Sequence, residues 1–231
     1  MVCRLAGDTG LIVEFGEGID PDVNARVRSV AAAVKKTTPG GVIEIIPTYR
    51  SLLLIYDPMV TRPEKLVKFV EQADAALPDE DAGPYKVVEI PVCYGKEFGP
   101  DIETVGKTAN LSIEKVIRLH AEPQYLIYMV GFTPGFPFLG GLDQRLFTPR
   151  LKTPRMVVPQ GSVGVANNQT GIYPIESPGG WQIIGRTPLT LFAPQRKNPF
   201  LYQAGDRIKF IPISPEEYER LKEKEMGSCL Q

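Results

Sequence analysis

Residues 131–143 read GFTPGFPFLGGLD and residues 161–185 read GSVGVANNQTGIYPIESPGGWQIIG, and these two runs decide the fold of the chain. Positions 131–185 hold 10 glycines and 7 prolines among 55 residues, a content that is typical of disordered segments. Here, however, large apolar residues such as Phe136, Phe138, Ile172 and Trp181 are spread through the segment, and disordered tracts lack them. The sequence therefore predicts tightly shaped loops on a rigid scaffold, where proteins commonly place binding sites.

Short apolar strands surround and interrupt this segment. Many short strands with frequent glycine and proline turns favour a closed or nearly closed β-barrel. Residues 101–120 are predicted to be helical with Ser112 as N-cap, and Ser214–Glu217 is a capping box that opens a charged terminal helix. The strands are expected at 86–93, 125–130, 156–158, 163–166, 170–173, 182–185, 189–192 and 207–211, and the strand at 156–158 is expected to be buried.

The first part of the chain differs in charge and pattern. Residues 1–84 hold 9 Lys and Arg against 13 Asp and Glu, a balance of −4, whereas residues 85–231 hold 17 against 14, a balance of +3. The polar, proline- and glycine-containing segment 77–84 is typical of a linker. We therefore expect an α+β domain over residues 1–83 and a mainly β barrel domain over residues 84–231.

In the first domain, strands are expected at 11–15, 42–46 and 51–56. Asp20 is a predicted N-cap, and Val23, Val27, Val30 and Val34 follow it at helical spacing. Residues 61–64 form a predicted capping box before a second helix, whose buried stripe is Leu66, Val70, Ala73 and Leu77. Two helices on one face of a small sheet predict a folding and interaction module rather than a catalytic one.

Composition excludes several classes of function. The chain of 231 residues has a net charge of −1, which gives no reason to expect nucleic acid as a partner. It has no apolar run long enough for a transmembrane helix, and Arg4 and Asp8 interrupt any signal peptide, so a cytoplasmic protein without a membrane partner is predicted. The cysteines Cys3, Cys93 and Cys229 lie far apart and there is a single histidine, so no disulfide framework and no metal site is expected.

Charge in the glycine-rich segment points to a site for an anion. Residues 131–186 hold two acids and five bases, and four of the bases are arginines, whose planar forks suit carboxylate and phosphate. The alternative is that these arginines are solvated loop residues that bind carbonyl groups. The candidate substrate-binding residues in and beside this cleft are Phe136, Gly140, Gly141, Arg150, Gln160, Ser162, Gln169, Thr170, Ser177 and Trp181.

Four residues are candidates for chemistry: His120, Arg145, Arg155 and Arg186. His120 closes the predicted helix, where the helix dipole favours a histidine, but its intrinsic pKa also suits a general base. Pro154 constrains the backbone before Arg155, which is expected at a barrel edge beside Gly161 and Ser162 with its guanidinium on an anionic ligand.

The motif string of the chain resembles the KipI family, whose members are also described as the first subunit of allophanate hydrolase or as the B subunit of 5-oxoprolinase. The resemblance covers nearly the whole chain and is carried by 131–143, Pro149-Arg150, Thr153-Pro-Arg155, 161–164, 169–174, Ser177-Pro-Gly-Gly-Trp181 and 184–188, and near the start by Gly7-Asp8 and by residues 47–51 and 56–58. It implies an N-terminal α+β domain followed by a cyclophilin-like barrel.

The resemblance also implies a function. Members of the family are implied to pair with a paralogous cyclophilin-like subunit, the C-type subunit, together with a lactam-handling subunit, the A-type subunit. These would jointly open 5-oxoproline to L-glutamate at the expense of ATP, whose binding subunit is left open, and the single chain would be inactive. The arginines named above are then candidates to stabilise the transferring phosphoryl group.

Two other functions are implied by relatives within the resemblance. One relative inhibits a sporulation histidine kinase, so a kinase is an alternative partner. Related domains in urea carboxylase form the carboxyl-transfer part, so carboxyl transfer is a second alternative, which would require a biotin carrier.

Overall fold

The computed structural model describes residues 1–77 and 85–228, except for the side chains of residues 226–228. The chain divides into two compact units, Met1–Pro84 and Tyr85–Gln231. Apart from Leu77, the linker predicted at 77–84 lies outside the described residues. That each unit is an independent domain, with a boundary at residue 83, stays a prediction.

The first unit is built on a four-stranded antiparallel sheet with the strand order β1-β2-β4-β3. The predicted strands are present within one residue at each end, whereas β1 was not predicted. The strands are β1 (Val2–Ala6), β2 (Gly10–Glu14), β3 (Val42–Pro47) and β4 (Ser51–Tyr56), and the helices are α1 (Pro21–Lys36) and α2 (Pro63–Ala75).

One face of this sheet and one face of each helix form the core of the first unit. Along β4, Leu52, Leu54 and Tyr56 are buried while the residues between them are half-exposed, as a period of two requires. From the helices, Val30 and Leu66 join the same cluster. The valine spacing of α1 therefore predicted its buried face, although Val23 is only half-buried.

Of the two N-caps predicted for the helices of the first unit, one is confirmed and the other is wrong. Asp20 caps α1, because its Oδ1 accepts hydrogen bonds from the backbone N–H groups of Asp22 and Val23 at 2.8 and 3.0 Å. The predicted capping box at 61–64 is wrong: Arg62 is the N-cap of α2, no side chain caps it, and Thr61 is buried instead.

The cap predicts a modest loss of stability on substitution. We expect Asp20→Ala to lower the free energy of unfolding of the first unit by about 1 kcal/mol, since two backbone N–H groups lose their acceptor. Thermal unfolding followed by circular dichroism measures the change. Asp8→Ala, which removes an exposed aspartate before β2, is the matched control, and an equal effect of both substitutions would contradict the capping role.

The second unit contains a closed barrel of seven strands in the order β10-β7-β6-β13-β5-β12-β9, which matches the predicted barrel. The pairing of β13 with β5 is parallel and the other pairings are antiparallel. Its similarity to cyclophilin stays a prediction. The barrel strands are β5 (Val87–Tyr94), β6 (Gln124–Val130), β7 (Pro137–Gly140), β9 (Ser162–Ala166), β10 (Gln169–Ile172), β12 (Gln182–Arg186) and β13 (Arg207–Pro212).

Two further strands, β8 (Arg155–Val158) and β11 (Ser177–Gly179), pair with each other and not with the barrel. The expectation that 156–158 is a buried strand is therefore wrong for two of its three residues. Met156 is 82% exposed and Val157 is 55% exposed, whereas Val158 is fully buried. The strand was predicted from its composition, but its partner strand and its position outside the barrel were not.

Other expectations for the second unit need correction. The predicted helix at 101–120 is two helices, α3 (Ile102–Ala109) and α4 (Ile113–Ala121), because Asn110 takes a left-handed conformation with φ of 54° and ends the first. Ser112 caps α4 as predicted. The strand predicted at 189–192 is absent from the described structure, where Phe192 forms only an isolated bridge with Phe200.

The terminal helix α5 (Pro215–Ser228) follows Ser214, whose Oγ accepts from the N–H of Glu217. Among the described residues, no helix is both long enough and apolar enough to span a bilayer.

Candidate functional site

A chain of hydrogen bonds centred on His120 lies inside the barrel. The imidazole is fully buried in the last turn of α4 and stacks on the ring of Phe210. Its Nδ1 lies 2.8 Å from the hydroxyl of Tyr94, on β5, and its Nε2 lies 2.8 Å from Oγ1 of Thr170, on β10. The Thr170 hydroxyl in turn donates to the backbone carbonyl of Gly164, on β9, at 3.0 Å.

These partners assign the tautomer of His120. A carbonyl can only accept, so the single proton of the Thr170 hydroxyl is committed to Gly164. The Oγ1 of Thr170 therefore accepts from Nε2–H, and the unprotonated Nδ1 accepts from the hydroxyl of Tyr94. Every member of the chain is then satisfied with the imidazole neutral.

Burial keeps the imidazole neutral. It lowers the pKa of His120 from 6.5 to about 3, because the charged form would be desolvated without a counter-charge. Burial also raises the pKa of Tyr94 well above its usual value. His120 thus joins α4, β5 and β10 within the barrel, and its ring is not presented to solvent, where a general base would meet a substrate.

Arg155 points at a carboxylate of its own chain. Its Nη2 lies 2.7 Å from Oδ1 of Asp101, a residue that is mostly buried, and its Nη1 donates to the carbonyl of Trp181 at 3.4 Å. The second carboxylate oxygen of Asp101 accepts from the N–H of Ile183 at 2.6 Å. Asp101 therefore ties Arg155 to β12.

Two more of the predicted catalytic arginines are engaged within the chain. Arg145 binds both carboxylate oxygens of Asp143 at 2.9 and 2.6 Å, and the hydrogen bonds from Arg145 lower the pKa of Asp143 to about 2. Arg186 donates from Nε to the carbonyl of Gln160 at 2.9 Å. These contacts favour the alternative that the sequence left open, in which the arginines bind local carbonyl and carboxylate groups.

Arg150 differs from the other three arginines. It is exposed and makes no ion pair with any described residue, and the same holds for the neighbouring Lys152. Burial raises the pKa of Tyr173, while a backbone hydrogen bond from Trp181 and the charges of Arg150 and Arg155 oppose that rise. Arg150 therefore lies close enough to Tyr173 for its charge to act there, and it is the one predicted arginine that is available to an anion.

An aromatic cluster lies beside these charges. Phe136 is buried at its centre and meets the rings of Tyr173 and Trp181 edge-on, with centroids 5.7 and 5.5 Å away. A Cβ on Gly171 would lie 2.9 Å from Cζ of Phe136, so a glycine is needed there for close packing. The cluster and the nearby Arg150 and Arg155 form the best candidate site, because apolar rings and cationic groups lie side by side there.

The predicted site residues do not all meet in one place. Phe136, Trp181, Arg150, Arg155 and Ser177, which pairs with Val158, belong to the aromatic cluster or border it. The others lie elsewhere in the second unit. Thr170 is hydrogen-bonded to His120 inside the barrel, and Gly140 leaves room for the ring of Tyr128. Gly141, with φ of 97°, and Gln160 are exposed, Gln169 is half-buried, and Ser162 is buried in β9.

Sequence reasoning missed four polar residues: Tyr94, Asp101, Tyr173 and Gln182. Gln182 is buried, donates from Nε2 to the carbonyl of Pro149 at 3.0 Å, and leaves its Oε1 without a described partner. The sequence indicated Gln182 only as a polar residue inside an apolar strand, and it indicated Asp101 only as the start of a helix.

No group of three or more His, Cys, Asp or Glu in the described part of the chain is placed to hold a metal ion.

Comparison with known proteins gives one family match and several relatives. Residues 1–202 match the family model for the carboxyltransferase domain, subdomain C and D. The chain is 45% identical over 228 residues to the B subunit of 5-oxoprolinase from Bacillus subtilis strain 168, and the match covers 94% of this chain and 95% of that protein.

Solved structures agree in fold. TTHA0988 matches with a TM-score of 0.80 and 39% identity over 92% of this chain, which spans only 40% of the TTHA0988 chain. The Kluyveromyces lactis urea carboxylase matches with a TM-score of 0.78 over 96% of this chain and 22% of that protein, and at 21% identity this likeness concerns the fold alone.

Proposed function

The chain belongs to the family of 5-oxoprolinase B subunits and of carboxyltransferase subdomains C and D, and on this basis we propose that it is a subunit of an ATP-dependent 5-oxoprolinase. The complex opens 5-oxoproline to L-glutamate and contains two further proteins, a lactam-handling subunit with a paralogous cyclophilin-like subunit. The observation that carries the proposal is the 45% identity to the Bacillus subtilis protein over almost the full length of both chains.

The chemistry requires an energy source. A lactam is an unreactive amide, and phosphorylation of its oxygen makes the carbonyl carbon electrophilic enough for water to add. The C–N bond of the ring then breaks as the nitrogen takes up a proton, which leaves an acyl phosphate, and a second water hydrolyses that acyl phosphate to the carboxylate and phosphate. The balanced reaction consumes 5-oxoproline, ATP and two water molecules and yields L-glutamate, ADP and phosphate. Cations that meet the transferring phosphoryl group would stabilise the charge that develops on it.

The described residues do not form a ready cradle for the phosphates of ATP. Arg145, Arg155 and Arg186 are held by groups of their own chain, so no phosphoryl-transfer step is assigned to them. Arg150, beside the aromatic cluster, is the one predicted arginine that remains available to an anionic ligand. We therefore expect the chain alone to be inactive and its site to be completed by the other subunits.

Reconstitution tests the proposal. The purified chain is combined with its two proposed partner subunits, and glutamate and ADP are measured with and without 5-oxoproline. We expect glutamate formation only when all three proteins are present, and a fall of tenfold or more for Arg150→Ala, if one charge-assisted contact of roughly 1.5–3 kcal/mol is lost. Lys197→Ala, which removes an exposed lysine elsewhere in the second unit that makes no ion pair with a described residue, is the matched control.

Two outcomes would contradict the proposal. One is full activity without this chain, and the other is a complete mixture that hydrolyses ATP at the same rate whether or not 5-oxoproline is added. An unchanged rate for Arg150→Ala would contradict only the role of Arg150.

Carboxyl transfer is the second candidate, because the matching family model describes carboxyltransferase subdomains. It predicts that activity depends on a biotin-carrying protein and on bicarbonate. If the reconstituted complex forms glutamate from 5-oxoproline in the presence of avidin, which sequesters biotin, this candidate is excluded.

A further inference from the structure

The ribbon formed by β8 and β11 leaves an apolar strand edge uncovered. In the described structure β8 pairs only with β11, and its residues Met156 and Val157 are 82% and 55% exposed. Folded proteins rarely leave such an edge open, since its free N–H and C=O groups can pair with another strand. Met156 and Val157 are successive strand residues and project from opposite faces of the ribbon, so a strand added at that edge would shield both side chains from water.

A second exposed apolar residue borders the same place. Phe132 is 86% exposed, and its φ of 68° lies in the left-handed region, which is unfavourable for a bulky residue. Its ring meets Phe136 edge-on with centroids 6.4 Å apart, and Val158 of β8 packs in the same cluster as Phe136. Apart from this contact, the left-handed backbone leaves most of the phenyl ring in solvent, so the isolated chain buries little of it.

The two ends of the ribbon formed by β8 and β11 carry opposite charges. The exposed and unpaired Arg150 and Lys152 precede β8, and the N–H of Leu151 donates to the carbonyl of Gly180 at 2.7 Å, which holds this segment against the end of β11. At the opposite end of the ribbon, the exposed Glu176 precedes β11. An added strand that carries a carboxylate near Lys152 would match this polarity.

The comparisons suggest which chain covers this surface. A unit like this chain makes up 40% of TTHA0988, whereas it accounts for 95% of the Bacillus subtilis protein. The same unit thus occurs both joined to a longer partner segment and as a separate chain. A segment that is covalently joined in one protein is a natural binding partner where it is encoded separately.

We propose that Met156, Val157 and Phe132 form a docking surface for the separate chain that corresponds to the remaining 60% of TTHA0988, and that this partner adds a strand to the free edge of β8. The inference rests on the proposed function, which requires the chain to assemble with other subunits. A carboxylate of the partner lies against Lys152, and Phe132 enters an apolar recess of the partner.

Binding measurements test the surface. The probe is the purified protein from the same genome whose sequence matches the additional part of TTHA0988, and its affinity for the full chain is measured by calorimetry. We expect the double substitution Met156→Ser with Val157→Ser to weaken binding at least tenfold, and Phe132→Gly to weaken it similarly. Met59→Ser is the control, because Met59 is 91% exposed but belongs to the other unit.

Phe132→Gly also separates docking from folding. Glycine tolerates the left-handed conformation, so this variant should melt at the same or a higher temperature than the wild type even as binding is lost. A lower melting temperature with unchanged affinity would overturn the docking role of Phe132.

The outcomes distinguish the two proposals. If the wild-type chain binds the probe and all variants bind equally well, the docking surface is wrong while the assembly stands. If the wild-type chain does not bind the probe at all, the assembly and the surface that depends on it are both overturned. Self-association of the chain that the ribbon substitutions abolish, without binding of the probe, would identify the surface as a contact between two copies and overturn the proposed partner.

Discussion

Between pH 6.5 and pH 3, the free energy of unfolding of the second unit is expected to fall by up to about 5 kcal/mol because of His120 alone. Burial lowers the pKa of this imidazole from 6.5 to about 3 in the folded chain. In that window the unfolded state binds a proton that the folded state does not bind, so acid favours unfolding. The stability is fully present above pH 6.5 and is lost as the pH falls towards 3, at about 1.4 kcal/mol per pH unit.

The measurement is urea unfolding at pH 7 and at pH 4.5, followed by the fluorescence of Trp181. This is the single tryptophan of the chain and lies in the second unit, so its signal reports that unit. Between these two pH values the His120 contribution amounts to about 3 kcal/mol. The hydrogen bonds that lower the pKa of Asp143 to about 2 place the titration of that carboxyl below this window.

A variant isolates the imidazole. At pH 7 His120→Gln is expected to be less stable than the wild type, because Tyr94 and Thr170 lose partners, but it should lose the part of the pH dependence that comes from the imidazole. The comparison is therefore the difference between pH 7 and pH 4.5 within each protein, not the stability at one pH. If wild type and His120→Gln show the same difference, the imidazole does not stay neutral in the folded barrel.

Local patterns carried most of the predicted fold. The valine spacing of α1, the Asp20 cap and the short strands of the barrel were readable because each depends on residues within a few positions of one another. β1 was not readable for the opposite reason. It is an edge strand whose Val2 and Leu5 are both exposed, so it shows no alternation of apolar and polar residues.

The site could be predicted only in part from the sequence, because several of its contacts join residues that are distant in sequence. Arg155 meets Asp101 across 54 positions, and His120 meets Thr170 across 50, so neither pairing leaves a periodic signal. The pair of Arg145 and Asp143 is two positions apart, and its proximity alone could have removed Arg145 from the anion-binding candidates. The aromatic residues were found because their composition contradicted disorder, which is a property of the whole segment.

The pair of Asp101 and Arg155 predicts the second large effect. We expect Asp101→Asn to lower the free energy of unfolding of the second unit by about 2–4 kcal/mol. The two oxygens of Asp101 accept from Arg155 and from the N–H of Ile183, and both donors would meet a side chain with a single oxygen. Whichever way the new amide turns, one donor of the chain faces its NH₂ group. Urea unfolding followed by Trp181 fluorescence measures the loss, and Arg145→Ala, at an exposed pair, is expected to show no measurable change.

Arg155→Lys then decides between an internal and a ligand-binding role for this residue. The sequence alone predicts that the substitution lowers activity tenfold or more with an unchanged melting temperature. The ion pair with Asp101 instead predicts a lower melting temperature, because an ammonium group cannot reach both Asp101 and the Trp181 carbonyl as the guanidinium fork does. A double-mutant cycle adds the energy that couples the two residues: if Asp101→Asn and Arg155→Lys together cost much less than the sum of the two single losses, the side chains stabilise each other. Additive losses, or a loss of activity with the melting temperature intact, would return Arg155 to the group of residues that bind an anion.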